Sequence, residues 1–387
     1  MPVKNRLTEL HPEITGWRRE LHQHPELLYD TGRTSAFVAE RLRAFGCDEV
    51  VEGIGRTGVV GLIRGRSDSK GYVVGLRADM DALPIIEETG LDYASLTPGK
   101  MHACGHDGHT AMLLGAARYL AETRNFDGAV AVIFQPAEEG GAGGKAMVDD
   151  GMLERFSIRE VYGMHNEPGL PVGAFAIRPG NFFAAMDTFE IELVGKGGHA
   201  AMPQNTVDTV LMASNAVVAL QSIVSRNANP VKELVVSVTS FRSESEAFNV
   251  IPERVTLRGT LRCFDPVLRA QAEQRVHSVV GHIAQAYGGR AEIDYRVGYP
   301  AMVNDEVETT YAIEAASRVS GSVGKADLTM GGEDFAFMLQ ACKGAYIQIG
   351  NGPSAKLHHP AYDFNDEIIP FGVSYWAELV EMRMPVG

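Results

Sequence analysis

Cysteine is scarce in this chain: four in 387 residues, at 47, 104, 263 and 342, far apart and without the spacing of a disulfide framework. That excludes a small disulfide-stapled secreted scaffold and predicts a reduced, cytoplasmic protein. Basic charge is in deficit too. Against 35 lysines and arginines stand 49 acids, a formal net charge of −14, so no positive surplus exists to attract nucleic acid or an anionic membrane. No apolar run reaches the length expected of a membrane span, and the opening Met1-Pro-Val-Lys-Asn-Arg-Leu-Thr8 lacks the apolar core of a signal peptide. Internal repeats and low-complexity segments are absent as well. What is present is ordinary for a globular protein: 45% hydrophobic residues, 22% charged residues and 42 glycines. A length of 387 predicts two domains, because single cores stop growing near 250–300 residues.

Against that background the nonapeptide Met101-His-Ala-Cys-Gly-His-Asp-Gly-His109 stands out. It carries His102, Cys104, His106, Asp107 and His109 and opens a helical pattern running from Thr110 to Ala121. On an extended segment Cys104 and His106 point to one side, so thiolate and imidazole converge on one ion. Gly105 and Gly108 allow the sharp path this needs. A His-rich loop capping a helix beside a buried cysteine is the bland alternative, and the ligand density favours metal.

Taken in order, residues 5–46 predict helix, break, helix. His22 and His24, beside a helix end, read as surface or packing residues. Gly58–Arg64 and Tyr72–Arg77 read as a hairpin or as adjacent strands. The second ends in Asp79 and Asp81, placed where α/β folds carry their sites or where turns use acids. Ala129–Phe134 has the continuous apolarity of a strand buried on both faces and runs into Glu138-Glu139. These adjacent glutamates point apart, so one can bind metal while the other works on a water as general base. Glu160–Asn166 is a third strand, ending near His165. From about residue 183 the pattern changes to β-α-β-β-α-β, the order of a ferredoxin-like domain. It covers 184–296 and is inserted into an α/β, doubly wound, mixed-sheet catalytic domain made of 1–183 and 297–387. His199 falls in a glycine-rich turn expected to open the insert's first helix, at about Thr206.

The motifs Arg77-Ala-Asp-Met-Asp-Ala-Leu-Pro84, His102–His109, Phe134-Gln-Pro-Ala-Glu-Glu-Gly140, Gly195-Lys-Gly-Gly-His-Ala200, Asn249-Val-Ile-Pro252 and Gly332-Glu-Asp-Phe335 together resemble the aminoacylase/carboxypeptidase family of dinuclear metallohydrolases. Within it the chain is most similar to the branch of hippurate and indole-acetyl-amino-acid hydrolases, over about residues 17–375. The resemblance implies two divalent ions (zinc, manganese, cobalt or nickel) held by Cys104, His106, Glu139, His165 and His358. His358 is preferred to His359 by the pattern Leu-His-x-Pro. It also implies Glu138 as the base acting on a metal-bound water, and Asp81 as an acid that orients a ligand. His199 would support the oxyanion, often across a dimer interface. Asn249 and Arg262 would hold the substrate's amide oxygen and carboxylate, although a salt bridge at the sheet's edge accounts equally well for Arg262. The implied reaction is hydrolysis of N-acyl amino acids (hippurate-like, N-acetyl or indole-acetyl) to a carboxylic acid and a free amino acid. The implied assembly is a homodimer, or a dimer of dimers, formed through the insert's edge strand and long helix, with hinges near 183 and 297. The rivals are a dipeptidase or carboxypeptidase of the same family, a hydrolase with Cys104 as nucleophile, and a silent binding protein. The intact Glu138 speaks against the last.

Overall fold

Leu7, Leu10, Ile14, Trp17 and Leu21 recur at helical spacing, and all are buried on one side of helix α1 (Asn5–Gln23). This comes from a computed structural model describing residues 5–69 and 71–387. After α2 (Gly32–Ala44) come strands β1 (Glu49–Ile54), β2 (Gly58–Arg64) and β3 (Val73–Asp79), then α3 (His106–Thr123) and β4 (Ala129–Gln135). Short helices α4 (Gly143–Asp149) and α5 (Met152–Arg155) lead to β5 (Ile158–Pro168), β6 (Phe175–Ile177) and β7 (Gly180–Phe183). The middle of the chain supplies β8 (Ala185–Val194), β9 (Gly198–His199), α6 (Thr209–Ser222), β10 (Leu234–Ser243), β11 (Val250–Ile251), β12 (Arg254–Cys263), α7 (Pro266–Ala286) and β13 (Arg290–Val297). The last part holds β14 (Met302–Asn304), α8 (Glu306–Ser320), β15 (Val323–Lys325), α9 (Phe335–Ala341), β16 (Lys343–Gly352) and α10 (Ile369–Arg383).

Two units emerge. The first takes residues through Phe182, then Val303–Asp327 and Asp334–Gly387. Its sheet has the order β1-β2-β4-β3-β5-β16-β6-β15. β3 and β4 are buried at every residue, as continuously apolar strands covered on both faces must be. One expectation fails here. β2 and β3 are neither a hairpin nor neighbours, because β4 lies between them, antiparallel to β2 and parallel to β3. The eight residues joining β2 to β3 read in sequence like a hairpin turn, but the more apolar β4 takes the place between the two strands. β3 also pairs parallel with β5, and β5 with β16. Asp79 therefore lies opposite Gln135, and Arg77 opposite Gly163, so three carboxyl ends open along one edge.

The second unit takes Phe183–Met302 and Leu328–Glu333. It is a four-stranded antiparallel sheet, β10-β12-β8-β13, whose chain order gives the ferredoxin-like arrangement. Met212, Ala213, Ala216 and Leu220 of α6 and Val276 and Val280 of α7 pack on one sheet face with Ile191, Leu193 and Leu257. Past β13, Asp187 secures the exit: its carboxylate accepts from Gly298 N–H at 3.0 Å and Tyr295 O–H at 2.8 Å. α6 and its π-helical continuation, Thr209–Asn227, are long and apolar enough to cross a membrane by length and composition. That corrects the expectation that no such run exists. Ser214, Asn215 and Gln221 interrupt the apolar sequence without adding charge. Here the helix lays its buried side on the unit's own core.

Candidate metal centre

The site grows from the edge where β3, β4 and β5 end. Gly105, at φ +91°, turns the chain into α3, and a Cβ there would meet Asn166 Oδ1 at 2.2 Å. The convergence of Cys104 and His106 therefore comes from a left-handed turn, not an extended segment. Gly108 serves packing instead: it is helical, and a Cβ would meet the Phe364 ring at 2.1 Å. Cys104 Sγ stands 3.4 Å from His165 Nε2, while His165 Nδ1 donates to the carbonyl of Asn166 at 2.7 Å. His106 Nδ1 donates to the carbonyl of Asp81 at 2.8 Å, which leaves Nε2 as the free coordinating atom. His358 arrives on a loop at φ +64°, with its N–H on Ala103 O at 2.7 Å and its Nε2 3.2 Å from Glu139 Oε1. Left-handed backbone in a histidine is strained and is typical of functional positions.

Among the groups of ligand atoms lying within 4.8 Å of one another are Cys104, His106 and His165; Cys104, Glu139 and His358; and His106, Glu138 and Glu139. The first two share Cys104. The Asp81 carboxylate accepts the backbone N–H groups of Glu138 at 2.9 Å and Glu139 at 3.1 Å, so it shapes the turn that carries the pair. Glu138 in turn accepts the Asp334 N–H at 3.4 Å. The potential here is negative. Burial opposes charge on His106, yet Asp79 and Asp81 push its pKa up to about 10. Burial, with Glu139, Glu138 and Asp79, pushes the Cys104 thiol well above the usual range. Burial and neighbouring His109 hold His165 well below its ordinary value.

Several residues outside the expected set take part. Asp79, open between a site role and turn chemistry in the sequence, sits fully buried under the centre and accepts from His109 Nδ1 at 2.6 Å and Arg77 Nη1 at 2.7 Å. His109 Nε2 is 2.7 Å from Asn166 Oδ1, and Asn166 donates to the Tyr362 hydroxyl at 2.6 Å. Asp334, on the segment between the motif glycines and α9, accepts from Arg77 at 3.0 Å and Gly144 N–H at 2.8 Å. Of the nonapeptide's other residues, Asp107 pairs with His22 and Arg18. His102 is buried without a hydrogen-bond partner, and burial pushes its pKa down to about 3. His22 is no surface residue. It is fully buried with Nδ1 2.8 Å from Asp107 and Nε2 3.3 Å from Glu87. His24 caps its own turn on Glu20 O at 2.9 Å. The only sequence sign of the His22 arrangement was the alignment of Arg18 and His22 with the buried stripe of α1.

In the second unit His199 does not open a helix. It is exposed in β9, opposite Val250 of β11, and α6 begins ten residues later under the Asp208 cap. Asn249 is beside it, accepting the Ala200 N–H at 3.0 Å through its carbonyl. Arg262 lies half-buried on β12, opposite Met186, and bonds Thr260 Oγ1 and, at 3.2 Å, Leu261 O.

The donors fit a metal. His106 Nε2 is buried without a hydrogen-bond partner, and it belongs to one group of ligand atoms with Cys104 and His165 and to another with Glu138 and Glu139. Such a mixed set suits several divalent transition ions.

Comparison with known proteins agrees with this chemistry. The chain is 41% identical over 377 residues to the hippurate hydrolase of Campylobacter jejuni, covering 96% of this chain and 97% of that one. It is 41% identical over 364 residues to an N-acetyl-L-cysteine deacetylase of Bacillus subtilis, covering 94% and 86%. A solved Bacillus subtilis structure, described as a dinuclear metal-binding peptidase of the M20 family, superposes with a TM-score of 0.85 at 34% identity, covering 97% of this chain and 99% of that one. Residues 75–382 match the model of peptidase family M20/M25/M40, and the chain belongs to that family.

Proposed function

We propose that this protein is a metal-dependent amidohydrolase that cleaves the amide bond of N-acyl amino acids, releasing a carboxylic acid and a free amino acid. The observation that carries the reading is the pair of three-ligand groups sharing Cys104, with Glu138 against them. In it Cys104, His106, Glu139, His165 and His358 hold two divalent ions. Bound there, such ions lower the pKa of a coordinated water to about 7 and polarise a carbonyl. Glu138 takes the proton of the attacking water and passes it to the leaving amine. Asp81 holds Glu138 and Glu139 by their backbone and His106 by its carbonyl oxygen. His199 donates to the developing oxyanion, Asn249 holds the amide oxygen and Arg262 the substrate carboxylate, with hinges near 183 and 297. The names of the hydrolase and deacetylase relatives support an N-acyl amino acid over a dipeptide.

The cysteine-nucleophile alternative is disfavoured by the thiol's surroundings. With burial and three carboxylates pushing its pKa up, Cys104 forms a thiolate only against a cation. We further propose a homodimer through α6 and β10, whose outward Val210, Leu211, Val218 and Phe241 are exposed. The four free cysteines support residence in a reducing compartment such as the cytoplasm.

The test is a hydrolysis screen over N-benzoyl, N-acetyl, indole-acetyl and dipeptide substrates with added manganese or zinc. Turnover of an N-acyl amino acid, lost on dialysis against chelator and regained with the ion, is expected. Full activity in protein shown to be metal-free ends the reading.

A further inference from the structure

Arg18 of α1 is fully buried, a costly place for a guanidinium unless it is paired on several sides. Its Nε is 3.1 Å from the Asp107 carboxylate, and its Nη2 donates to Asp363 Oδ1 at 2.6 Å and to the Phe364 carbonyl at 3.0 Å. Its planar carbon lies 4.9 Å from the Tyr93 ring centre, and Tyr93 O–H donates to the other Asp363 oxygen at 2.9 Å. The two ends of this arrangement are not arbitrary. Asp107 directly follows His106, and Asp363 and Phe364 lie five and six residues after His358. One side chain thus ties the two segments that bring those histidines.

We propose that Arg18 is a positioning residue that holds the His358 loop in register with the start of α3, so that the ion shared by Cys104, Glu139 and His358 depends on it. This deepens the metal reading above and rests on it. The dependence is one-sided. His106 is buried and keeps the Asp81 carbonyl whatever happens to Arg18. The His358 side chain is 53% exposed and stands on strained left-handed backbone, so its place relies on what anchors the loop. Its N–H is bonded to Ala103, and further along the loop Pro360 accepts the Glu88 N–H at 2.9 Å and Tyr362 the Asn166 amide at 2.6 Å. Fixing the loop also needs the residues beyond it, where Arg18 binds.

The experiment is a zinc titration of wild-type, Arg18→Lys and Asp363→Asn protein under chelator competition, with bound ions counted and the melting temperature of the metal-free forms measured. Asp363→Asn guards against misfolding, because its carboxylate is 36% exposed and its loss leaves the Arg18–Asp107 pair in place. Wild type should bind two ions. Each variant should keep the tighter one unchanged and bind the other about 10–100-fold more weakly, as loss of an outer partner of a ligand does. Hydrolysis should return at saturating zinc. Two ions at unchanged affinity, or both weakened by one factor together with a lower metal-free melting temperature, overturn the clamp while leaving the metal reading in place. A wild type that binds no ion overturns both.

Discussion

The two units surround the residues proposed to function in opposite ways. In the first, Asp79, Asp81, His106, His109 and Asp334 are almost wholly buried and each has named partners at hydrogen-bond distance. In the second, His199 is exposed on a two-residue strand and Arg262 is half-buried, bonded only to its own strand. Removing water from charged groups makes each partner count, so the first unit's groups are pre-set and interdependent. The second unit's groups keep contact with water and have only local partners, His199 Nδ1 accepting the Ala201 N–H at 3.0 Å. The contrast is between an interlocked buried network and separate groups with local partners.

The sharpest way to break the contrast is at Glu138. Glu138→Gln keeps the carboxyl's shape and should retain both ions while kcat falls by roughly 10²–10⁴-fold, the scale of a lost general base. Glu139→Gln should instead lower the metal content. Equal metal loss in the two variants would show that the roles of the pair are reversed. In the second unit His199→Ala should leave folding and metal content intact and cut kcat by roughly 10²–10³-fold, the scale of one oxyanion donor. Near-normal kcat would reduce His199 to a structural residue of β9.

A pH experiment sharpens the comparison next. Burial opposes charge on His22, but Asp107 and Glu87 push its pKa up to about 9 from 6.5. A raised folded pKa means that the charged ring stabilises the first unit fully below 6.5, and that this contribution fades as pH climbs through about 9. The melting temperatures of wild type and His22→Gln should differ most near about pH 6 and converge by about pH 10. A gap that stays constant across that range would place His22 among neutral packing residues. No comparable buried histidine occurs among the described residues of the second unit.

The smallest effects contrast two helical glycines. Gly108→Ala puts a methyl 2.1 Å from Phe364 and should destabilise the first unit by about 1–3 kcal/mol through overpacking. Gly281→Ala, on an exposed turn of α7 with nothing within 4 Å, should stabilise by about 0.5–1 kcal/mol. Chemical denaturation checks both, and opposite signs are the expected outcome.

Much of this could be read before any coordinates. Leu7 to Leu21 announce α1 by period, Ala129–Phe134 announce a doubly buried strand by continuous apolarity, and the insert's alternating strands announce an antiparallel sheet. These patterns are local, because burial on a helix or strand imposes its period on the residues that form it. The dense ligand segment at 101–109 was legible for the same reason, since a metal's demand for sulfur and nitrogen donors is written in residue type. Left unreadable was everything decided by residues distant in the chain. β4 enters between β2 and β3 because of how the whole sheet buries its most apolar strand. Gly108 is glycine because of a phenylalanine 256 positions away. His22 read as a surface or packing residue until Asp107 and Glu87 met it in the fold, as Asp107 and Asp363 met Arg18. Which acid faces which imidazole depends on distance and desolvation, and neither exists until the chain has folded.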